Sequence, residues 1–301
     1  MSQLSQDARI EDLRSLIHDE LDRGDLDQAV TLCEEAIDRA KELDNQELLD
    51  QGLCNRSGIL VIQGKGDQVV ASLRKILLRS SSPANSFLAA NAICQYHELC
   101  QEKDRSLFYA RLALDHAQKS MNPQFVAKGH NNIGNLLMQD SYFAEACESY
   151  QQALETLPRD DYHRDYALLL SNSGYCQVVL GHYNRGLKYL FRSLGLIRQR
   201  CAVGWERFPC LSLSYAFLEL GKLDEARRFG ARALQQSQLT DSTVQIKNSL
   251  YLLGEAEKMA GNDSAAYEHF ARLQAEFYPT EPFISDFLMA TDIRKLVNLM
   301  A

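Results

Sequence analysis

The side chains able to do chemistry in this 301-residue chain are numerous but dispersed. His18, His97, His116, His130, His163, His182 and His269 are scattered, and there is no HExxH, so the paired ligands of a helical zinc site are missing. The eight cysteines, Cys33, Cys54, Cys94, Cys100, Cys147, Cys176, Cys201 and Cys210, form no CxxC pair. That removes the usual zinc and disulfide spacings, and they read as small buried apolar residues in a reducing compartment. There is no GxGxxG, GxxxxGK[ST] or GxSxG, so neither a phosphate cradle nor a nucleophile elbow is indicated. The stretch RDDYHRDY at 159–166 gathers Asp160, Asp161, His163 and Asp165. It reads as a solvated connection entering a helix, where aspartate suits the free amides and the dipole, with cation binding as the alternative. The expectation is no catalytic residue, no metal, no cofactor, and a protein that is not an enzyme.

Binding chemistry is better represented. Lys128, Asn131 and Asn135 are spaced three and four apart, so on a helix they share one face. Asparagine within a helix is mildly unfavourable, yet its amide can both donate to and accept from an extended peptide backbone. A lysine one turn earlier would attract an acidic residue or terminus. Asn55, Asn132 and Asn172 form a second set, nine residues before the turns described next. For these, bonding between neighbouring helices or plain exposure competes with ligand contact. Tyr175 and Tyr215 stand at the offset of Asn135 in the two following segments and would extend the face as an amphipathic stripe.

The elements that must position these residues repeat along the chain. Helix–turn–helix segments turn at Gly24, Gly64, Gln101, Ser141, Gly181, Gly221 and Gly261, at intervals of 40 residues except for one of 37. Five of the seven are glycine, which readily takes the backbone angles that end one helix before the next. Seven residues before each turn stand Ile17, Ser57, Cys94, Gly134, Gly174, Ser214 and Gly254. Five after it stand Ala29, Val69, Ser106, Ala146, Gly186, Ala226 and Ala266, and twelve after it Ala36, Ile76, Ala113, Ala153, Ser193, Ala233 and Leu273. The last two sets are about two helical turns apart and share a face, and their mostly small side chains let paired helices approach closely. A larger residue nine after most turns, Leu73, Tyr150, Leu190 or Phe270, would fill the space between adjacent repeats. The repeat turning at Gln101 follows the short interval, and its Phe108 and Leu112 fall at outward positions.

This pattern resembles the tetratricopeptide repeat (TPR) family, most clearly in NNIGNLLMQDSYFAEACESYQQAL, SNSGYCQVVLGHYNRGLKYLFRSL and LSYAFLELGKLDEARRFGARAL. The usual period is 34 residues, so this chain is similar to the longer-helix, 40-residue variety. The resemblance implies an all-α solenoid, a right-handed superhelix of about seven helix pairs over 1–277. First helices would line its concave face. The tail 278–301 is expected to form a capping helix over the last repeat. The implied function is a scaffold or adaptor that binds a protein or an extended peptide in the concave groove, centred on Lys128, Asn131, Asn135, Tyr175 and Tyr215. A peptide-sensing regulator is the alternative. The carboxylate clamp of one TPR subtype is not assembled, since Leu88 and Ala92 stand at its last basic pair.

Charge and hydropathy bound the rest. The net charge is −8, yet residues 1–50 alone carry 15 acidic and 5 basic side chains. An acidic balance argues against general nucleic-acid binding. The polar start and the lack of an apolar run of about 18 residues argue against a membrane partner and for a cytoplasmic protein. Lys188 and Arg192 share their offsets with Arg228 and Arg232 in the next repeat, and Arg185 lies nearby. On the convex side they would form a basic surface for an acidic partner, self-association through the acidic first repeat of another copy being one version. Trp205 and Phe208 read as packing residues, with groove lining as the alternative.

Overall fold

Each expected turn carries the backbone conformation that ends a helix sharply. In the computed structural model, which describes residues 3–157, 163–200, 204–294 and 297–299, φ is positive at Gly24, Gly64, Gln101, Ser141, Gly181, Gly221 and Gly261. Around each, the same pair of backbone bonds forms. At the first, Gly24 N–H donates to Leu21 O and Asp25 N–H to Glu20 O; at the last, Gly261 N–H donates to Lys258 O and Asn262 N–H to Glu257 O. This is the Schellman arrangement, which satisfies the last carbonyls of the first helix. The described residues are all-α, and they divide into two compact units, Met1–Leu136 with Glu155–Leu157, and Leu137–Leu154 with Pro158–Ala301.

The first unit holds α1 (Gln3–Arg23), α2 (Leu26–Glu42), α3 (Gln46–Ile62), α4 (Val70–Arg79), α5 (Pro83–Leu99), α6 (Lys103–Ser120) and most of α7 (Pro123–Gln139). The 37-residue interval arises in α4, which is 10 residues long against 17 for α2. Gln101 shares the positive φ of the other turns, and Phe108 is 61% exposed. Cys94 and Ser106, at the two contact offsets, meet: Ser106 Oγ donates to Cys94 O at 3.2 Å. Phe87 stacks on Phe125 at 4.4 Å between ring centroids, a buried aromatic contact that ties α5 to α7.

The second unit holds α8 (Phe143–Thr156, up to Leu154), α9 (His163–Val179), α10 (Tyr183–Arg200), α11 (Arg207–Glu219), α12 (Leu223–Gln238), α13 (Thr243–Met259), α14 (Asp263–Phe277) and α15 (Ile284–Ala290). Gly174 and Gly186 let α9 and α10 touch: a Cβ on Gly174 would lie 2.8 Å from Leu190 Cγ and 3.2 Å from Gly186 O. Ser214 Oγ donates to Ala226 O at 2.8 Å, the same contact between α11 and α12. Tyr150, Leu190 and Phe270 are fully buried, as expected of residues that fill the space between helices. Trp205 and Phe208 lie 5.9 Å apart, with the Arg207 guanidinium 4.3 Å from the Phe208 ring.

Among the described residues of the segment 278–301, expected as one capping helix, the helix covers Ile284–Ala290. The Ser285 amide and hydroxyl both donate to Gln274 Oε1 at 2.9 Å, which holds α15 on α14. Lys258 Nζ then takes the carbonyls of Leu288 and Thr291 at 2.6 and 3.0 Å. A side-chain ammonium satisfying carbonyls at a helix end does what the next turn's amides would do. Thr291 is extended (φ −124°, ψ 139°), and there the tail leaves α15.

Candidate peptide-binding face

In the second unit the first helices of three hairpins, α9, α11 and α13, present Tyr175, Tyr215 and Glu255, each six residues before its turn. The rings of Tyr175 and Tyr215 lie 5.8 Å apart. Neither is open to solvent, at 1% and 7% exposed, because the chain's own tail lies over this face. The Leu299 amide donates to Tyr175 Oη at 3.2 Å, and Asn248 Nδ2 donates to Leu299 O at 2.7 Å. Both main-chain groups of one residue are thus held by side chains from α9 and α13, while its own side chain is 2% exposed. One residue earlier, Asn298 Nδ2 donates to Met138 O at 2.7 Å, at the end of α7 that belongs to this unit.

Electrostatics order the other end of the tail. Arg294 donates from Nε and Nη2 to the Asp292 carboxylate at 2.9 and 2.6 Å and from Nη1 to Met259 Sδ at 3.1 Å. It faces two acids of the repeat helices, with Nη1 3.9 Å from Glu219 Oε1 and Nε 3.8 Å from Glu255 Oε2. Glu255 is completely buried. Burial pushes its carboxyl up, against the pull of Lys258, which binds Oε1 at 2.6 Å. Its Oε2 and the Tyr251 hydroxyl are buried polar atoms with no hydrogen-bond partner among the described residues. Bonds from Arg294 hold the Asp292 carboxyl well below the usual carboxylate range, and burial raises the Tyr215 phenol to about 12. Apolar rings, a buried acid and paired amide chemistry make a face suited to holding a peptide with a cationic side chain.

No family model matches the chain. A curated protein, outer dynein arm-docking complex subunit 4 of Danio rerio, is 26% identical over 144 residues, which are 48% of this chain and 29% of that protein. The match therefore spans under a third of the relative. Among solved structures, a tetratricopeptide repeat protein from Parabacteroides merdae aligns with a TM-score of 0.54 at 15% identity, over 96% of this chain and 99% of its own. This is a TPR fold. Two further TPR-like neighbours superpose more closely. A Rap protein complexed with Competence and Sporulation Factor gives a TM-score of 0.69 at 13% identity, over 97% of this chain and 79% of its own. The quorum sensor NprR from B. thuringiensis gives 0.68 at 13%, over 94% and 80%.

The other residues singled out in the sequence fall in distinct places on the TPR helices. Lys128 is exposed on α7 in the first unit, and Asn131 and Asn135 are half-buried along the same helix. Asn132 donates to Asn91 Oδ1 at 2.5 Å, a bond between neighbouring first helices. Asn55 and Asn172 are half-buried on α3 and α9. On the second helices, Arg185 donates to Gln151 and Tyr189, and Arg192 lies over Tyr166 at 5.3 Å. Arg232 grips Glu206 through Nε and Nη2, and Arg198 binds the same carboxylate. Lys188 and Arg228 are exposed, Arg228 with its guanidinium 4.8 Å from the Phe229 ring. Phe191, Arg198, Arg228 and Arg232 line a hollow of 810 Å³ there. Asp160 and Asp161 of the acidic connection, and the His163 side chain, lie outside the described residues. Among the described residues no His, Cys, Asp or Glu group could hold a metal ion, and no helix is long and apolar enough to cross a membrane.

Sequence reasoning missed Asn248, Tyr251 and Glu255, although its own offsets reach them. Glu255 stands six residues before its turn, as Tyr175 and Tyr215 do in the same unit. Tyr251 stands ten before its turn, as Asn131 does, and Asn248 thirteen before, as Lys128 does. Extending the rule one repeat further would have found them. The role of the tail had no such signal.

Proposed function

We propose that this chain is a TPR scaffold or adaptor that holds a segment of another protein, or a peptide, against its first-helix faces. What carries the reading is the pair of bonds to Leu299. Side chains of α9 and α13 satisfy both the amide and the carbonyl of a non-helical residue, which is how a repeat protein must grip a peptide whose backbone has no partner of its own. The candidate face in the second unit is Tyr175, Tyr215, Asn248, Tyr251 and Glu255. In the first unit it is the α7 row Lys128, Asn131 and Asn135. The protein acts by binding and not by catalysis. Its seven described cysteines are free thiols, which supports a reducing, cytoplasmic location. Its acidic net charge of −8 disfavours nucleic acid.

The test is affinity capture followed by calorimetry of the captured partner. Asn248→Ala in the second unit, or the double change Asn131→Ala, Asn135→Ala in the first, should weaken binding by about 1–2 kcal/mol, the scale of a hydrogen bond lost from a desolvated site. Unchanged affinity in all variants places the working surface elsewhere. A second reading, a peptide-sensing regulator, is favoured by the likeness to a Rap protein complexed with Competence and Sporulation Factor and to the quorum sensor NprR. It requires that a bound peptide alter a second interaction.

A further inference from the structure

The tail does more than cover an apolar end. Its contacts go to the residues that would bind a ligand. Val297 N–H donates to Ile293 O at 3.1 Å. The tail sets a guanidinium beside Glu219 and Glu255 and a main-chain amide and carbonyl between Tyr175 and Asn248. Glu255 is completely buried with Oε2 unsatisfied, and burying a carboxylate is costly unless a cation meets it. Lys258 meets Oε1 at 2.6 Å, whereas Oε2 faces Arg294 Nε at 3.8 Å without a hydrogen bond, because Arg294 gives its shortest bonds to Asp292 in the tail itself.

We propose that residues 291–294 and 297–299 are a resident, displaceable occupant of this face. Its exchange partner is a segment of another protein that carries an arginine followed five residues later by an apolar residue, the spacing of Arg294 and Leu299. The incoming arginine enters between Glu219 and Glu255, and the apolar residue takes the place of Leu299 under Tyr175 and Asn248. The proposal rests on the peptide-binding reading above and adds both the ligand's chemistry and its regulation. A ligand sees only the fraction of molecules with the tail released, so its apparent affinity falls by that fraction. Loosening the tail raises affinity without touching the site.

The probe is a fluorescein-labelled peptide, TDIRKLVNLMA, the sequence of residues 291–301, titrated by anisotropy against the full chain. Arg294→Ala in the chain loosens the resident tail and should tighten peptide binding at least tenfold over wild type. A peptide with its arginine replaced by alanine should lose that gain, as should Glu255→Gln added to the Arg294→Ala chain. Arg294→Lys, which keeps the charge, should bind the peptide at an intermediate level. Circular dichroism melts confirm that each variant is folded. Equal affinity for wild type and Arg294→Ala, or no binding by either folded protein, overturns the proposal. If a captured partner is still lost on Asn248→Ala in that case, the peptide-binding reading stands and the displacement idea alone falls.

Discussion

Single residues in this protein are constrained by contact distance more than by polarity. Gly174 shows how the balance falls. Alanine in its place gains about 1 kcal/mol of helix propensity, but the new methyl would sit 2.8 Å from Leu190 Cγ and 3.2 Å from Gly186 O. Leu190 is fully buried and has nowhere to move, so overpacking of about 1–3 kcal/mol wins. Gly174→Ala should lower the urea midpoint with an unchanged slope. The cysteines make a second case at this scale. Burial raises the thiols of Cys33, Cys54 and Cys210 to about 12 and that of Cys94 to about 11, and raises Cys176 further. The thiolate is the reactive form, so native alkylation at pH 8 should label the exposed Cys100 first and the half-buried Cys147 next. The five buried thiols should react only after denaturation, as mass spectrometry of the labelled peptides would show. Early labelling of Cys33 or Cys54 would contradict their burial.

At the scale of the element, the turn is the repeated decision. Seven hairpins close with the same positive-φ residue and the same two backbone bonds, yet two of them use side chains that pay for the conformation. Ser141 and Gln101 sit at φ 64° and 59°, where an L-residue other than glycine costs roughly 1–2 kcal/mol. Ser141→Gly and Gln101→Gly should therefore stabilise, by less than that cost because glycine also frees the unfolded chain. Gly181→Ala, at φ 81° with open space around it, should destabilise by about 1 kcal/mol for backbone reasons alone. Thermal melts of the three variants check the sign. Stabilisation by Gly181→Ala would mean that the turn relaxes to another conformation. The short α4 belongs here too: three residues are lost from a second helix while the turns on either side keep their geometry.

At the scale of the whole molecule, charge is distributed in blocks. The first fifty residues carry 15 acidic and 5 basic side chains, while α10 and α12 present Lys188 and Arg228 exposed. Arg198 and Arg232 spend their charge on Glu206, whose carboxyl they hold below the usual range. The basic surface therefore offers fewer free cations than its sequence suggests. If the acidic repeat of one copy meets this surface on another, association should weaken as salt shortens the Debye length from about 30 Å to about 3 Å. Light scattering across that range should then show mass falling toward the monomer. A monomer at every ionic strength excludes the contact, and Lys188→Glu with Arg228→Glu should abolish it where it occurs.

By itself the sequence determined the local grammar of the fold. The 40-residue period, the positive-φ turns and the small residues at helix contacts are each enforced within one hairpin. A left-handed turn residue or a glycine between touching helices is dictated by neighbours a few residues away in space and close in sequence. The shared offset that sets Tyr175 and Tyr215 5.8 Å apart was legible for the same reason. What lies over them was decided only by tertiary structure. Leu299 reaches Tyr175 across 124 residues and Asn248 across 51, and Asn132 meets Asn91 across 41. The tail from Thr291 carries apolar residues at helical spacing, Ile293, Leu296, Val297 and Met300, so its sequence reads as more helix, while in the fold its Arg294 faces the buried Glu255 at 3.8 Å. Hydrophobic periodicity encodes which face of a helix is covered. It carries no information on what covers it when the covering segment is irregular, because such a segment is placed by side-chain hydrogen bonds and ion pairs that exist only once the helices are stacked.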